Sequence, residues 1–193
     1  MNEPHGYPQA AWPADSADSG DPEWIRTWTI AMDALARVSV AAVAATSRQQ
    51  LQADSAEALA GSFADWAFVD LDGSHPTRAV AARHPDPALA ALLTEVSLEE
   101  SPLITSAMQR CAPVVTAADG GSLLGRLPGG REVAPALGAN SAAVAPVVGE
   151  GEARGAITIV RCADSPDVGF VDLGVLSQIA DLTNAAVTRL DPR

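Results

Sequence analysis

The residues best suited to chemistry in this chain are few and widely spaced. Its histidines are His5, His75 and His84, and its cysteines are Cys111 and Cys162. No histidine stands at ligand spacing from a cysteine or from another histidine, so the pattern does not describe a zinc site. A haem sensor needs one axial imidazole, and His84 is the candidate for that role, set against the commoner one of a solvent-facing loop residue. The thiols read most simply as reduced, small hydrophobic residues of a core. The glycine-rich stretch from Gly120 to Gly130 lacks the Lys-Ser/Thr ending that lets a phosphate loop hold a nucleotide, and reads as a lid or surface loop. No Gly-x-Ser-x-Gly elbow presents a serine nucleophile. The acidic pair Glu99-Glu100 falls in a polar loop. No metal site and no catalytic residue is expected.

Composition narrows the partners. The 193 residues suffice for one well-buried domain, and 48% apolar with 19% charged residues is a globular balance. The formal net charge is −12 and the arginines are spread singly, so phosphate backbones and anionic lipid are repelled. No nucleic-acid or membrane partner is expected. The chain contains no lysine and is rich in alanine, a composition that points to a GC-rich bacterial genome. Residues 1–22 carry Pro4, Pro8, Pro13 and Pro22 among acids, with Tyr7 and Trp12 as isolated aromatics, and read as a disordered acidic tail. They lack the basic and apolar regions of a secretory signal, which predicts a cytoplasmic protein. The run Val38–Ala45 is too short to span a bilayer.

The elements that must position any site begin at Glu23. Trp24, Trp28, Ala31, Leu35, Val38 and Ala42 recur at helical spacing, with a second stripe of Ile25, Thr29, Met32, Ala36 and Val43 beside it. A helix apolar on two faces must bury both. A second helix is expected over 47–63. Residues 65–71 and 77–82 read as paired strands around an Asp72-Gly73 turn. Pro87 and Ser101-Pro102 each open a helix, with Pro in the first turn and Ser as the cap. A brief strand over 113–116, a helical turn over 133–137, and two strands over 141–148 and 154–162 follow. The last segment is a helix from about Val168, with Leu173, Leu176, Ala180, Thr183, Val187 and Leu190 as one stripe and Phe170, Val175, Ile179, Leu182 and Ala186 as another.

In this order, the strings Ala64–Leu71, Ser101-Pro102-Leu103-Ile104 through Pro113-Val114-Val115, Leu137–Ser141 into Ala145-Pro146-Val147, Gly155–Val160 and Phe170–Leu173 resemble the GAF domains of bacterial sensor phosphatases and histidine kinases. The likeness covers residues 23 to 190 almost throughout. It implies an α+β fold: an antiparallel sheet of about six strands, with the terminal helices on one face and short helices and loops over a pocket on the other. It also implies dimerisation through the terminal helices, which the double stripes suggest independently. The expected interface is Trp24, Trp28, Leu35, Leu173, Leu176, Val187 and Leu190. Phe68, Leu103, Met108, Leu123 and Leu137 would bound the ligand pocket, although the same residues equally suit an ordinary core. The Asn-Lys-Phe signature of cyclic-nucleotide binders is absent, as is a cysteine followed by histidine for a covalent bilin. Cys111 and Cys162 do not reproduce the cysteine set of the GAF-type methionine sulfoxide reductases. The expected function is therefore a regulatory domain, not an enzyme, binding a small ligand or a signalling partner and forming a homodimer. The alternative is an interaction module with a filled pocket that acts on a kinase, phosphatase or transcription regulator.

Overall fold

The computed structural model describes residues 22–71, 78–84, 86–96, 101–117 and 123–191. The expected tail, His5, His75, the Asp72-Gly73 turn, Glu99-Glu100 and the first part of the glycine-rich stretch lie outside the described residues.

Helix α1, Pro22–Ala44, leads into α2, Arg48–Leu59. Ser47 caps α2 by accepting from the Gln50 N–H. The second helix stops short of the expected Phe63 because Ala60 is extended and Gly61 turns at a φ of 112°, a region that glycine enters freely. Strands β1, Trp66–Asp70, and β2, Arg78–Ala82, come next. Helix α3, Pro87–Thr94, is capped by Asp86, and α4, Pro102–Arg110, by Ser101, each with proline in the first turn. Strand β3, Val114–Ala117, and the short α5, Val133–Leu137, precede the two long strands β4, Ala139–Gly149, and β5, Glu152–Cys162. Glu150 and Gly151 join them at φ values of 56° and 86°, so both turn residues adopt the left-handed geometry of a two-residue hairpin. Helix α6, Phe170–Leu190, ends the fold.

The strands form one antiparallel sheet in the order β2-β1-β5-β4-β3. Five strands form among the described residues, the five that the residue patterns themselves mark, where the family resemblance implies about six. Both faces are covered, which is why β1 is buried at every position instead of alternating. On one face α1, α2 and α6 pack over Ala67, Val69, Ala143, Ala145, Ile157 and Ile159. On the other, α3, α4, α5 and the loop before α5 cover Trp66, Phe68, Ala142, Val144, Ala156 and Val160.

The terminal helices lie side by side on the first face. Arg189, in the last turn of α6, donates to the carbonyls of Ala42 and Ala45, so the two C-termini are held together. Ala31, Ala34 and Val38 of α1 fill the core there, while Ile25, Met32, Val40 and Val43 point outward. By length and composition the segment Glu23–Ala44 would suffice to cross a bilayer, which the sequence reading did not expect. In this fold its small-residue face is instead committed to protein.

Candidate functional site

The face beneath α3, α4 and α5 is where the sheet meets its shortest cover. The strand period of two places Phe68 and Asp70 of β1 on this face. Pairing sets Arg78 opposite Asp70, and Thr158 opposite both Phe68 and Val144. All five residues expected at the pocket pack here: Phe68, Leu103 and Leu137 are buried, and Met108 and Leu123 lie half-buried against them. Ser101 anchors the cover, its hydroxyl donating to the Leu123 carbonyl at 3.0 Å while the Leu103 N–H donates to the same atom.

Three polar side chains in this layer were not anticipated. The Arg78 Nε donates to both carboxylate oxygens of Asp70, at 3.1 and 3.2 Å, and both side chains are almost wholly buried. The guanidinium carbon lies 5.3 Å from the centre of the Phe68 ring, within cation–π reach. Arg78 Nη2 and the Thr158 hydroxyl are buried with no hydrogen-bond partner. Buried polar groups are nearly always satisfied, so two such atoms beside one aromatic ring are unusual. Desolvation pushes the Asp70 carboxyl up from its ordinary value, with the charge and hydrogen bond of Arg78 pulling the other way. A strand pattern assigns Arg78 and Asp70 to one face, but their register depends on a turn whose geometry the sequence does not specify.

Two concavities adjoin the sheet. One, of about 640 Å³, wraps the β2 edge between α2 and α3 and is lined by Gln49, Gln52, Ala53, Arg78, Ala79, Thr94 and Glu95. The other, of about 390 Å³, lies at the sheet end and mixes Glu23, Asp65 and Asp164 with Arg26, Arg83 and Arg161. Arg161 is fully engaged, pairing with Asp172 and donating to three backbone carbonyls.

The thiols and His84 are far from forming one site. Cys111 ends α4 in the left-handed region, its Sγ 3.7 Å from the Gly151 carbonyl at the β4–β5 turn. Cys162 pairs with Ala139 at the opposite end of that hairpin. Strands of this length put the two ends about 30 Å apart, far beyond disulfide reach. Burial, followed by Asp65 and Asp164, raises the Cys162 thiol, which keeps it protonated and a poor nucleophile. His84 is exposed just past β2. Among the described residues no group of three or more His, Cys, Asp or Glu could hold a metal.

The expected interface residues divide. Trp24 and Trp28 are exposed and stacked, with ring centroids 6.2 Å apart and planes nearly parallel. Leu35, Leu173 and Leu190 are half-buried against the core. Leu176 and Val187 are corrected: at 0% and 1% exposure they have no surface to offer a second chain. The stripe containing them fills the domain's own interior, and the outward positions of the two helices are Ile25, Met32, Val40, Val43, Phe170 and Leu182.

No family model matches the chain, and no curated protein matches it in sequence. Solved structures do. The A. aeolicus nlh2 GAF domain in an inactive state superposes with a TM-score of 0.63 at 12% identity, over 86% of this chain and 99% of that one. The GAF domain of a phosphoenolpyruvate-protein phosphotransferase from Coxiella burnetii gives 0.59 at 15% identity, over 84% and 95%. The chain has the GAF fold. Free methionine-R-sulfoxide reductase from Neisseria meningitidis, solved with its substrate, shares that fold at a TM-score of 0.58 and 14% identity, over 82% of this chain and 89% of that one. At such identities the GAF likeness is one of architecture. It places the α3–α5 layer and the α1–α6 pair in this chain without assigning either a ligand.

Proposed function

We propose that this chain is a GAF-type regulatory domain that pairs with a second copy through α1 and the adjoining part of α6, and couples that pairing to a small ligand or a protein partner. The observation that carries the reading is the outer face of α1. Ile25, Trp28, Met32, Ala36, Val40 and Val43 recur there at steps of three and four residues, all exposed, and Val43 is 80% exposed. Phe170, at the start of α6, is 92% exposed and is a further apolar side chain left without cover. Continuous apolar stripes of this kind mark association surfaces. Helices shared by a core and an interface suit signalling, because a shift on the sheet can alter how they pack.

Sedimentation equilibrium of the full chain tests the pairing. The expected result is a dimer at micromolar concentration, converted to monomer in an Ile25→Asp, Val43→Asp variant that keeps its circular dichroism. A strict monomer at high micromolar concentration would remove the basis of this reading.

A second reading is an interaction module without a small ligand, acting on a kinase, phosphatase or transcription regulator. It is favoured by the tight packing of Phe68, Leu103 and Leu137, which leaves these side chains serving as core. Native mass spectrometry and an absorption spectrum of freshly purified protein separate the two, since a retained small molecule or chromophore supports the first. Neither reading requires catalysis.

A further inference from the structure

We infer that two copies of the chain pair antiparallel along α1, so that the N-terminal half of one helix lies on the C-terminal half of its partner. This orientation rests on the pairing proposed above and specifies which second-copy residues meet each part of the stripe.

The spacing of the stripe is symmetric. Ile25, Trp28, Met32, Ala36, Val40 and Val43 follow one another at steps of three, four, four, four and three residues, the same from either end. Reversing one helix about the level of Ala34 therefore sets every member of the stripe against another apolar residue. Ile25 meets the partner's Val43, Trp28 meets the partner's Val40, and Met32 meets the partner's Ala36. Thr29 and Ser39 share the symmetry. Each hydroxyl donates to the carbonyl four residues back, Ile25 and Leu35, so neither enters the interface as an unsatisfied donor.

Bulk selects this direction. The large side chains Ile25, Trp28 and Met32 fall in the first half of the stripe, with Trp24 stacked on Trp28, and the smaller Ala36, Val40 and Val43 fall in the second. Antiparallel pairing puts a larger residue against a smaller one at every level and keeps the helix axes evenly spaced. Parallel pairing sets Trp28 against the partner's Trp28 and Ala36 against the partner's Ala36, which forces the helices apart at one end and leaves the other end gapped. The run Trp28-Met32-Ala36-Val40 is a single ridge of four-residue steps, and such ridges interdigitate at a crossing of about 50°. Ala36 then lies near the crossing point, where its small side chain permits close approach.

Charge points the same way. Asp33 and Arg37 flank one side of the stripe as an exposed ion pair at 2.8 Å. A two-fold axis between antiparallel helices brings like flanks together, which sets Asp33 beside the partner's Arg37 and Arg37 beside the partner's Asp33. In a parallel pair that flank turns toward the opposite one, occupied by Trp24 and Leu35, with no countercharge. Rim charges of this kind fix register more than affinity.

The test is a spin–spin distance measurement on the full chain in a Cys111→Ser, Cys162→Ser background, labelled through Ile25→Cys or, separately, through Val43→Cys. Antiparallel pairing separates the two labels of either sample by about 27 Å of helix rise. A mixture of the two variants should add a short distance, under about 15 Å, set by neighbouring axes. Short distances within each single-variant sample overturn the orientation and leave the pairing in place. A parent chain that sediments as a monomer overturns the pairing, and the orientation with it. Asp33→Arg and Arg37→Asp supply a second measurement that needs no label. Mixed together, they should associate about threefold or more tightly than either does with itself. Equal self- and cross-association by the two folded variants also overturns the orientation.

Discussion

Arg161 and Asp172 form a two-bonded pair inside the domain, Nη2 to Oδ1 at 2.8 Å and Nη1 to Oδ2 at 3.0 Å. The same guanidinium donates to the carbonyls of Phe63, Pro166 and Asp167. The same carboxylate accepts the Gly169 N–H at the start of α6. One ion pair therefore joins β5, the segment entering β1 and the first turn of α6. Arg161→Met leaves a buried carboxylate uncompensated and should cost about 3–5 kcal/mol in urea unfolding. The double variant Arg161→Met, Asp172→Asn should recover part of that loss; a cost equal to the sum of the two single changes would mean that the pair is not coupled.

Gly155 lies on β5 next to Ala156, the residue paired with Asp70 at the end of β1. A Cβ at that position would lie 2.1 Å from the Asp70 carbonyl oxygen and 3.0 Å from the Leu71 Cα. Both are backbone atoms, one in β1 and one just past its end, so neither can rotate away as a side chain would. Gly155→Ala should force β1 aside and lower stability by about 1–3 kcal/mol or more, read by thermal unfolding.

Thr158 carries a hydroxyl with no partner at 0% exposure in the middle of the sheet. Valine has the same branching without the unsatisfied group. Thr158→Val should raise the unfolding free energy of the ligand-free protein by about 1 kcal/mol. A loss of similar size would indicate that the hydroxyl is satisfied in solution.

Asp70 gives the stability a defined pH dependence. Its carboxyl is raised above 3.8, chiefly by desolvation, so the folded chain holds that proton more tightly than the unfolded chain does. The associated stability is fully present below 3.8 and is lost as pH rises through the elevated value. Asp70→Asn cannot titrate there, and the other carboxylates cancel in the comparison. Relative to this variant, the parent should lose stability as pH climbs from 3.8 and then level off, in parallel denaturant titrations. A parent that gains on the variant over that range would contradict the sign.

The sequence by itself determined the order and type of the elements. Helical spacing, the Ser101 and Asp86 positions ahead of proline, and the apolar runs of β1, β4 and β5 are local signals, and local signals survive without knowledge of the fold. They also made the GAF resemblance legible, including the two faces of the sheet and the residents of the α3–α5 layer. What tertiary structure alone decided was which apolar positions of the terminal helices face inward: one of the two stripes on α1, and most of both on α6, where Phe170 and Leu182 alone of the second stripe stay outside. On α1 and α6 both stripes are apolar, so hydrophobicity could not rank them; the small residues Ala31, Ala34 and Ala180 let the helices approach the sheet and each other, and that closeness turned Leu176 and Val187 inward. The polar groups followed the same rule. Asp70, Arg78 and Thr158 are unremarkable in strands read singly. Antiparallel register brings them around Phe68, and burial from both sides then gives their hydrogen bonds consequence.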